Sequence, residues 1–351
     1  MSRSSPTPNF KLFMSRSSVI TKWGCWVLLL SGILAAEGLL NFTLFADKSP
    51  SSLGSSAWLV DDGTRALLVD TSASGLSDNS VPNSVAEHVS SRGLSLEMVF
   101  ITHGHPDHFS GLPALRGNFS STPFYVGSAP VLAELLSLVA VINSSGGFPP
   151  SLAGFDWVDQ IQVLPGDTID VFPGNPIQVD ADFSSGESFY FAVLWDAAGG
   201  NLLTGDLIYH LNHFYLGVAI NTELLSSWKD DNLDTLVSRY SSASAIYPGH
   251  GPVATGLFNT ARDAHDYLET FLTLLRTCHD GVPDPLTIVG QTLVRTYPSY
   301  AFPVIVSSNV PNNPAWQTEQ EEWACSPASS VSLAFSLASS LFLVATVVSL
   351  F

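Results

Sequence analysis

The sequence predicts an α/β protein made of two mixed β-sheets with helices on their outer faces. Three observations lead there. Strand and helix patterns alternate through one globular stretch, roughly residues 41 to 322, with no long low-complexity linker. Antiparallel hairpins recur among the strands. Three strand ends, at His103, Asp206 and His250, each present a side chain able to hold metal. A chain of 351 residues has room for one large domain or at most two.

The elements follow in order. SAWLVDDGTRALLVDTS reads as two strands around an Asp-Gly turn, and VPNSVAEHVSSR as a short helix. LEMVFITH is an apolar run, expected as a buried strand that delivers His103 at its C-terminal end. FYVGS is a strand, and APVLAELLSLVAVI is a helix opened by proline. IQVLPGDTIDVF and NPIQVDADF are β-segments separated by Pro-Gly turns, and SFYFAVLWDAAGGNLLTGD is a hairpin. NTELLSSWKDDNLDTLVSRY and GLFNTARDAHDYLETFLTLLRT are helical, and between them SAIYPGHG is a strand running into a glycine turn. From Asp284 to Trp323 no periodicity emerges, so an irregular segment is expected.

Both ends have their own logic. Residues 1–38 place Arg3, Lys11, Arg16 and Lys22 before the uncharged WGCWVLLLSGILAA, the layout of a signal peptide or signal anchor, with small residues around Ala36-Glu37-Gly38. Met14, where MSRSS recurs, is an alternative start. Residues 325–351 begin with small residues, pass through a serine-rich spacer and turn strongly apolar from Leu341 with no basic residue behind. That is the layout of a GPI-anchor signal, and a transmembrane tail is the competing reading. A secretory route, with the protein membrane-anchored at the cell surface or extracellular, follows as an expectation. The sequons at Asn41, Asn118 and Asn143 fit it. Cys278 and Cys325 are a disulfide pair in that compartment or two unrelated thiols.

The formal charge is −18, and a cut after Gly38 leaves 9 basic against 30 acidic side chains, a net −21. So acidic a surface repels phosphate backbones, which argues against a nucleic-acid partner and for a small neutral or cationic substrate. Oligomeric state is not legible.

The densest signal is THGHPDHFSG, with His103, His105, Asp107 and His108 within six positions. Residues two apart on an extended segment point to one side, so His103 and His105 can chelate one ion. Asp107 and His108 fall in what should be the first turn of a helix, aimed at a second position. Clustering this tight rarely serves packing.

THGHPDHFSG, LLTGD ending in Asp206, and YPGHG carrying His250 resemble, in order and spacing, the motifs of the metallo-β-lactamase superfamily of hydrolases over about residues 55 to 275. The resemblance implies a four-layer αββα sandwich. It implies that His103 and His105 hold one zinc, that Asp107, His108 and His250 hold another, and that Asp206 bridges them. Asp70 would support the site from behind. A hydroxide between the ions would be the nucleophile, and Asp107 would steer the water and help move its proton. GDLIYHLNHFYL resembles a pattern in which a later histidine, here His213, faces substrate.

The sequence departs from the family at one point. A further histidine normally lies between the first motif and the bridging aspartate, whereas VDADFSSGESFYF contains none. Aligning that segment puts Asp182 nearest the position, with Asp180 and Ser184 as alternatives. A carboxylate there makes oxygen-preferring ions such as Mn²⁺ or Fe²⁺ more competitive with Zn²⁺. Two readings of function stand. One is a metal-dependent hydrolase of a small ester, lactone, amide or related bond. The other is a non-catalytic binding or scaffold protein that kept the fold with a degenerate metal site.

Overall fold

The computed structural model describes residues 39–46, 53–72, 80–144, 160–216, 221–276, 285–303, 305–306 and 310. The leader, the C-terminal tail, Cys278, Cys325 and His279 lie outside the described residues. Among those described, no helix is long and apolar enough to cross a membrane. Asn41 and Asn118 are not buried.

Two six-stranded sheets form the centre. The first is ordered β1 (Asn41–Ala46), β2 (Ser56–Asp61), β3 (Arg65–Val69), β4 (Ser95–Ile101), β5 (Phe124–Val126), β6 (Ile161–Val163). It is antiparallel from β1 to β3 and parallel from β3 to β6. The second runs β12 (Ala254–Thr255), β11 (Ala245–His250), β10 (Asn201–Tyr209), β9 (Tyr190–Asp196), β8 (Ile177–Ser184), β7 (Thr168–Ile169), and its one parallel pair is β10 with β11. Both sheets are therefore mixed, as expected.

Three apolar layers fix the sandwich. Between the sheets, Trp58, Val60, Leu67, Val69 and Phe100 meet Ile177, Val179, Ala192, Leu194 and Leu203. Strands buried on both faces have no polar face to show water, which is why VFI of β4 and FAVLW of β9 read as continuous apolar runs. Outside the first sheet pack α1 (Ser80–Ser91), α3 (Leu112–Asn118) and α4 (Ala129–Ser144), through Val85, Leu115, Val131 and Leu135. Outside the second pack α5 (Thr222–Ser227), α6 (Leu233–Arg239), α7 (Leu257–Arg276) and α8 (Pro285–Thr296). The layers are α, β, β, α, the sandwich that the resemblance implies.

The structure corrects four expectations. β1 precedes the first expected strand and pairs its full length with β2. The single helix expected over NTELLSSWKDDNLDTLVSRY is broken by a π-helical turn at Trp228–Asn232. The short helix α3 (Leu112–Asn118) follows α2 (Pro106–Phe109), the first-turn helix of the motif. Finally, the region expected to be irregular after Asp284 contains α8, whose Leu286, Val289 and Leu293 recur at helical spacing and bury against the second sheet's layer.

Candidate metal centre

The two sheets meet along one edge, where an isolated bridge joins His103 to Phe191 and another joins Ser55 to His250. Four chain segments meet there. His103 follows β4, and His105, Asp107 and His108 occupy the turn into α2. Asp206 lies in β10, and His250 closes β11. The fourth segment is the turn between β8 and β9, and it supplies Glu187.

The first group is His103, His105 and Glu187, whose Oε1 lies 3.1 Å from His103 Nε2 and 2.7 Å from His105 Nδ1. The second is Asp107, His108 and His250, with Asp107 Oδ2 3.5 Å from His108 Nε2 and 3.3 Å from His250 Nε2. Asp206 faces both, at 3.9 Å from His103 Nε2, 3.2 Å from His108 Nε2 and 3.1 Å from His250 Nε2. The structure thus brings together His103, His105, Asp107, His108, Asp206 and His250.

It does not bring Asp182 to them. Asp182 is exposed on β8, where its charge acts on Tyr240 and Arg239. Asp180 pairs with Arg239 and accepts from the Tyr240 hydroxyl, and exposed Ser184 accepts through its carbonyl from Asn232. The pairing of β8 with β9 shifts register between Asp180 and Phe183, and Ser185 has φ +69°, so alternation along the strand no longer says which face a side chain takes. Glu187 stands where the histidine was expected. The signal is present in GES, a lone acidic residue between small turn residues.

His213 is likewise redirected. Leu211 has φ +53°, and the His213 amide donates to the Ala301 carbonyl, which draws this segment under the helices. The imidazole, expected to face substrate, is instead fully buried and meets the Tyr267 hydroxyl at 2.9 Å, beside Tyr300. Burial pushes His213 down to about 4. Tyr215 from the same segment instead sets its ring edge-on to His105, 6.2 Å between centroids.

The back of the site is fully engaged. Asp70, with φ +59°, accepts from Thr102 N and Oγ1, each at 2.8 Å, and meets His108 Nδ1 at 2.9 Å. Thr102 Oγ1 lies 3.0 Å from His103 Nδ1, and the Leu53 carbonyl 3.0 Å from His250 Nδ1. With Nδ1 occupied in all three rings, Nε2 faces the centre. Tyr209 donates to Asp206 at 2.6 Å. A methyl group on Gly249 would overlap Asp206 Oδ1, so that position of YPGHG must lack a side chain.

The front of the site is open. His105 and Asp107 keep 14% and 12% of their side-chain surface accessible, whereas the other ligands keep 2% or less. A reactant would approach on that side.

The fit to cations rests on orphaned atoms. His103 Nε2, His108 Nε2, Glu187 Oε1 and Asp206 Oδ1 are buried without a hydrogen-bond partner, although Glu187 Oε1 lies 3.1 Å from His103 Nε2 and Asp206 Oδ1 3.2 Å from His108 Nε2. Buried polar atoms left unpaired are costly, and lone pairs converging in this way suit a cation. Without one, burial pushes Glu187 up to about 8 against the pull of His105. Burial works against protonated His250, but Asp206 and Asp107 outweigh it and raise His250 to about 10; the same carboxylates with Asp70 raise His108 well above the usual imidazole range.

Comparison with known proteins bears on the fold. Residues 52–179 match the family model described as the metallo-beta-lactamase superfamily. A hydroxyacylglutathione hydrolase from Albidiferax ferrireducens is 33% identical over 81 residues, which span 23% of this chain and 29% of that protein's length. A metallo-beta-lactamase family protein from Thermus thermophilus superposes with a TM-score of 0.51 at 18% identity, covering 76% of this chain and 91% of that one. A metallo-beta-lactamase from Pontibacter korlensis gives 0.47 at 18% identity over 66% and 95%. Glu187, Asp206 and His250 lie beyond the matched family segment, so their assignment rests on the geometry above.

Proposed function

We propose, from the premise that the chain carries a metallo-beta-lactamase superfamily domain, that this protein is a metal-dependent hydrolase acting on a small ester, lactone, amide or related bond. One observation carries the reading: imidazole nitrogens and carboxylate oxygens from four chain segments converge beside the partly accessible His105 and Asp107, and four of these atoms, on His103, His108, Glu187 and Asp206, are buried without a hydrogen-bond partner. A scaffold protein has no use for such convergence. The scaffold reading drew its support from a missing ligand, and Glu187 supplies a donor at that place.

His103, His105 and Glu187 would hold one divalent ion, and Asp107, His108 and His250 the other, with Asp206 between. Two such ions lower the pKa of a shared water and polarise the oxygen of the bond to be cleaved. The chain's own residues do the rest. Asp107, accessible and within 3.3 Å of His250, is placed to accept a proton from the attacking water and return it to the leaving group. Asp70, Thr102 and the Leu53 carbonyl keep three imidazoles turned inward. Tyr215, beside His105, lines the approach and would contact the substrate. The net charge of −18 favours a neutral or cationic substrate over a phosphate polymer. The leader and tail patterns support a secreted, surface-anchored location.

The test is hydrolysis of a panel of small esters, lactones, thioesters and amides by metal-stripped protein and by the same protein reloaded with Zn²⁺ or Mn²⁺. Activity that is lost on stripping and restored on reloading supports the reading. Activity that survives complete stripping overturns it, as does inactivity of the loaded protein towards the whole panel.

A further inference from the structure

We propose that Glu187 makes the two halves of the centre equivalent in donor set, so that the chain takes up two like divalent ions with closely matched affinity and tolerates Mn²⁺ or Fe²⁺ at both. The inference rests on the metal reading above and goes beyond it, because it concerns which ions bind and how evenly.

The equivalence is a matter of counting donors. One half has two imidazoles, His103 and His105, and one carboxylate, Glu187. The other has two imidazoles, His108 and His250, and one carboxylate, Asp107. Asp206 faces both. A histidine in place of Glu187 would give one half three nitrogens and no anion of its own, and the two halves would then differ in charge and in softness. With Glu187, each half contributes one negative charge and shares a second. Carboxylate donors suit harder ions, whereas an all-imidazole set suits zinc.

Glu187 is held as a ligand would be. Its turn is closed by Ser185 N donating to the Phe189 carbonyl at 3.2 Å and Gly186 N donating to the Ser188 carbonyl at 3.0 Å. Asn232, at the end of the π-helical turn, donates to the carbonyls of Ser184 and Ser185, and Glu134 on α4 accepts from Phe189 N at 3.2 Å. A side chain on Gly186 would collide with the Phe191 ring. The turn is thus clamped from three sides, with the Glu187 carboxylate turned inward at 4% exposure. A surface acid in a turn gains nothing from such burial, which carries a desolvation cost unless a cation meets it.

The experiment loads metal-stripped full-length protein with Mn²⁺ alone, Zn²⁺ alone and an equimolar mixture. Bound metal is counted by elemental analysis, and the manganese environment is read by electron paramagnetic resonance. Wild type is expected to bind two Mn²⁺ with dissociation constants within about tenfold of each other and to show spin coupling between them. Glu187→His should split the two Mn²⁺ affinities by a further factor of about 10 or more and raise the zinc share taken from the mixture. Glu187→Gln, nearly isosteric, should leave one tightly bound Mn²⁺ and lose the coupling. If wild type binds two ions of widely split affinity, or Glu187→His takes the same metals in the same ratio as wild type, the equivalence fails while the metal reading stands. If wild type binds neither metal, both fail.

Discussion

The Asp70 carboxylate meets His108 Nδ1 at 2.9 Å and accepts from Thr102 at 2.8 Å through both the amide and the hydroxyl, so one buried acid at the end of β3 orients a candidate ligand. Asp70 holds φ +59° to do so, a backbone state that aspartate tolerates better than most side chains. Asp70→Asn keeps the shape and removes the charge. Metal affinity should fall about 10- to 100-fold, read by titration with a chromophoric chelator as competitor. A variant that is less thermally stable but retains wild-type affinity would show that Asp70 serves the fold alone.

Gly249 bears on the same question from the opposite side of the cluster. A methyl group there overlaps Asp206 Oδ1, so Gly249→Ala should push the shared carboxylate out of place and cost about 1–3 kcal/mol through overpacking. Elemental analysis of the folded variant should find less than the wild-type metal content. Undiminished content would mean that the Asp206 carboxylate has room to move without loss of binding.

Metal uptake should strengthen as pH rises. In the metal-free centre His250 is raised to about 10 and His108 well above the usual range, so at neutral pH both carry protons that an ion must displace. Each displaced proton should make binding about tenfold tighter per pH unit until the imidazole's own raised value is passed. Calorimetry in buffers of different ionisation heat would measure the protons released. Binding that does not change between about pH 6 and 9 would rule out protonated imidazoles in the metal-free form.

The tail makes a separate prediction. If residues 325–351 are a GPI-anchor signal, a phosphatidylinositol-specific phospholipase should release the protein from the surface of eukaryotic cells. Protein that stays attached while an anchored control is freed would favour a spanning tail.

Much of this centre is legible in the sequence. The ends of β4 and β11 and the dense loop into α2 carry His103, His105, Asp107, His108 and His250 behind apolar runs that are hard to mistake, whereas Asp206, expected at a strand end, lies inside β10. Glu187 is not legible as a ligand. It sits in a turn past a register shift, where neither helical nor strand periodicity carries directional information, and the nearby acids Asp180 and Asp182 offer the same chemistry. His213 escapes sequence reasoning for a related reason. Its orientation depends on the positive φ at Leu211 and on a hydrogen bond to the distant Ala301, and neither has a local signature. α8 is hidden although its apolar spacing is regular, because Gly290 and the flanking prolines read as loop.

Whether four chain segments converge to hold metal is read most directly from the metal content of the purified, folded chain beside that of Asp206→Ala. Asp206 faces His103, His108 and His250 together, so its loss strips both halves of their shared ligand. Close to two ions per wild-type chain are expected, with a clear deficit in folded Asp206→Ala. A wild-type chain without metal, or a folded Asp206→Ala with wild-type content, would contradict that convergence.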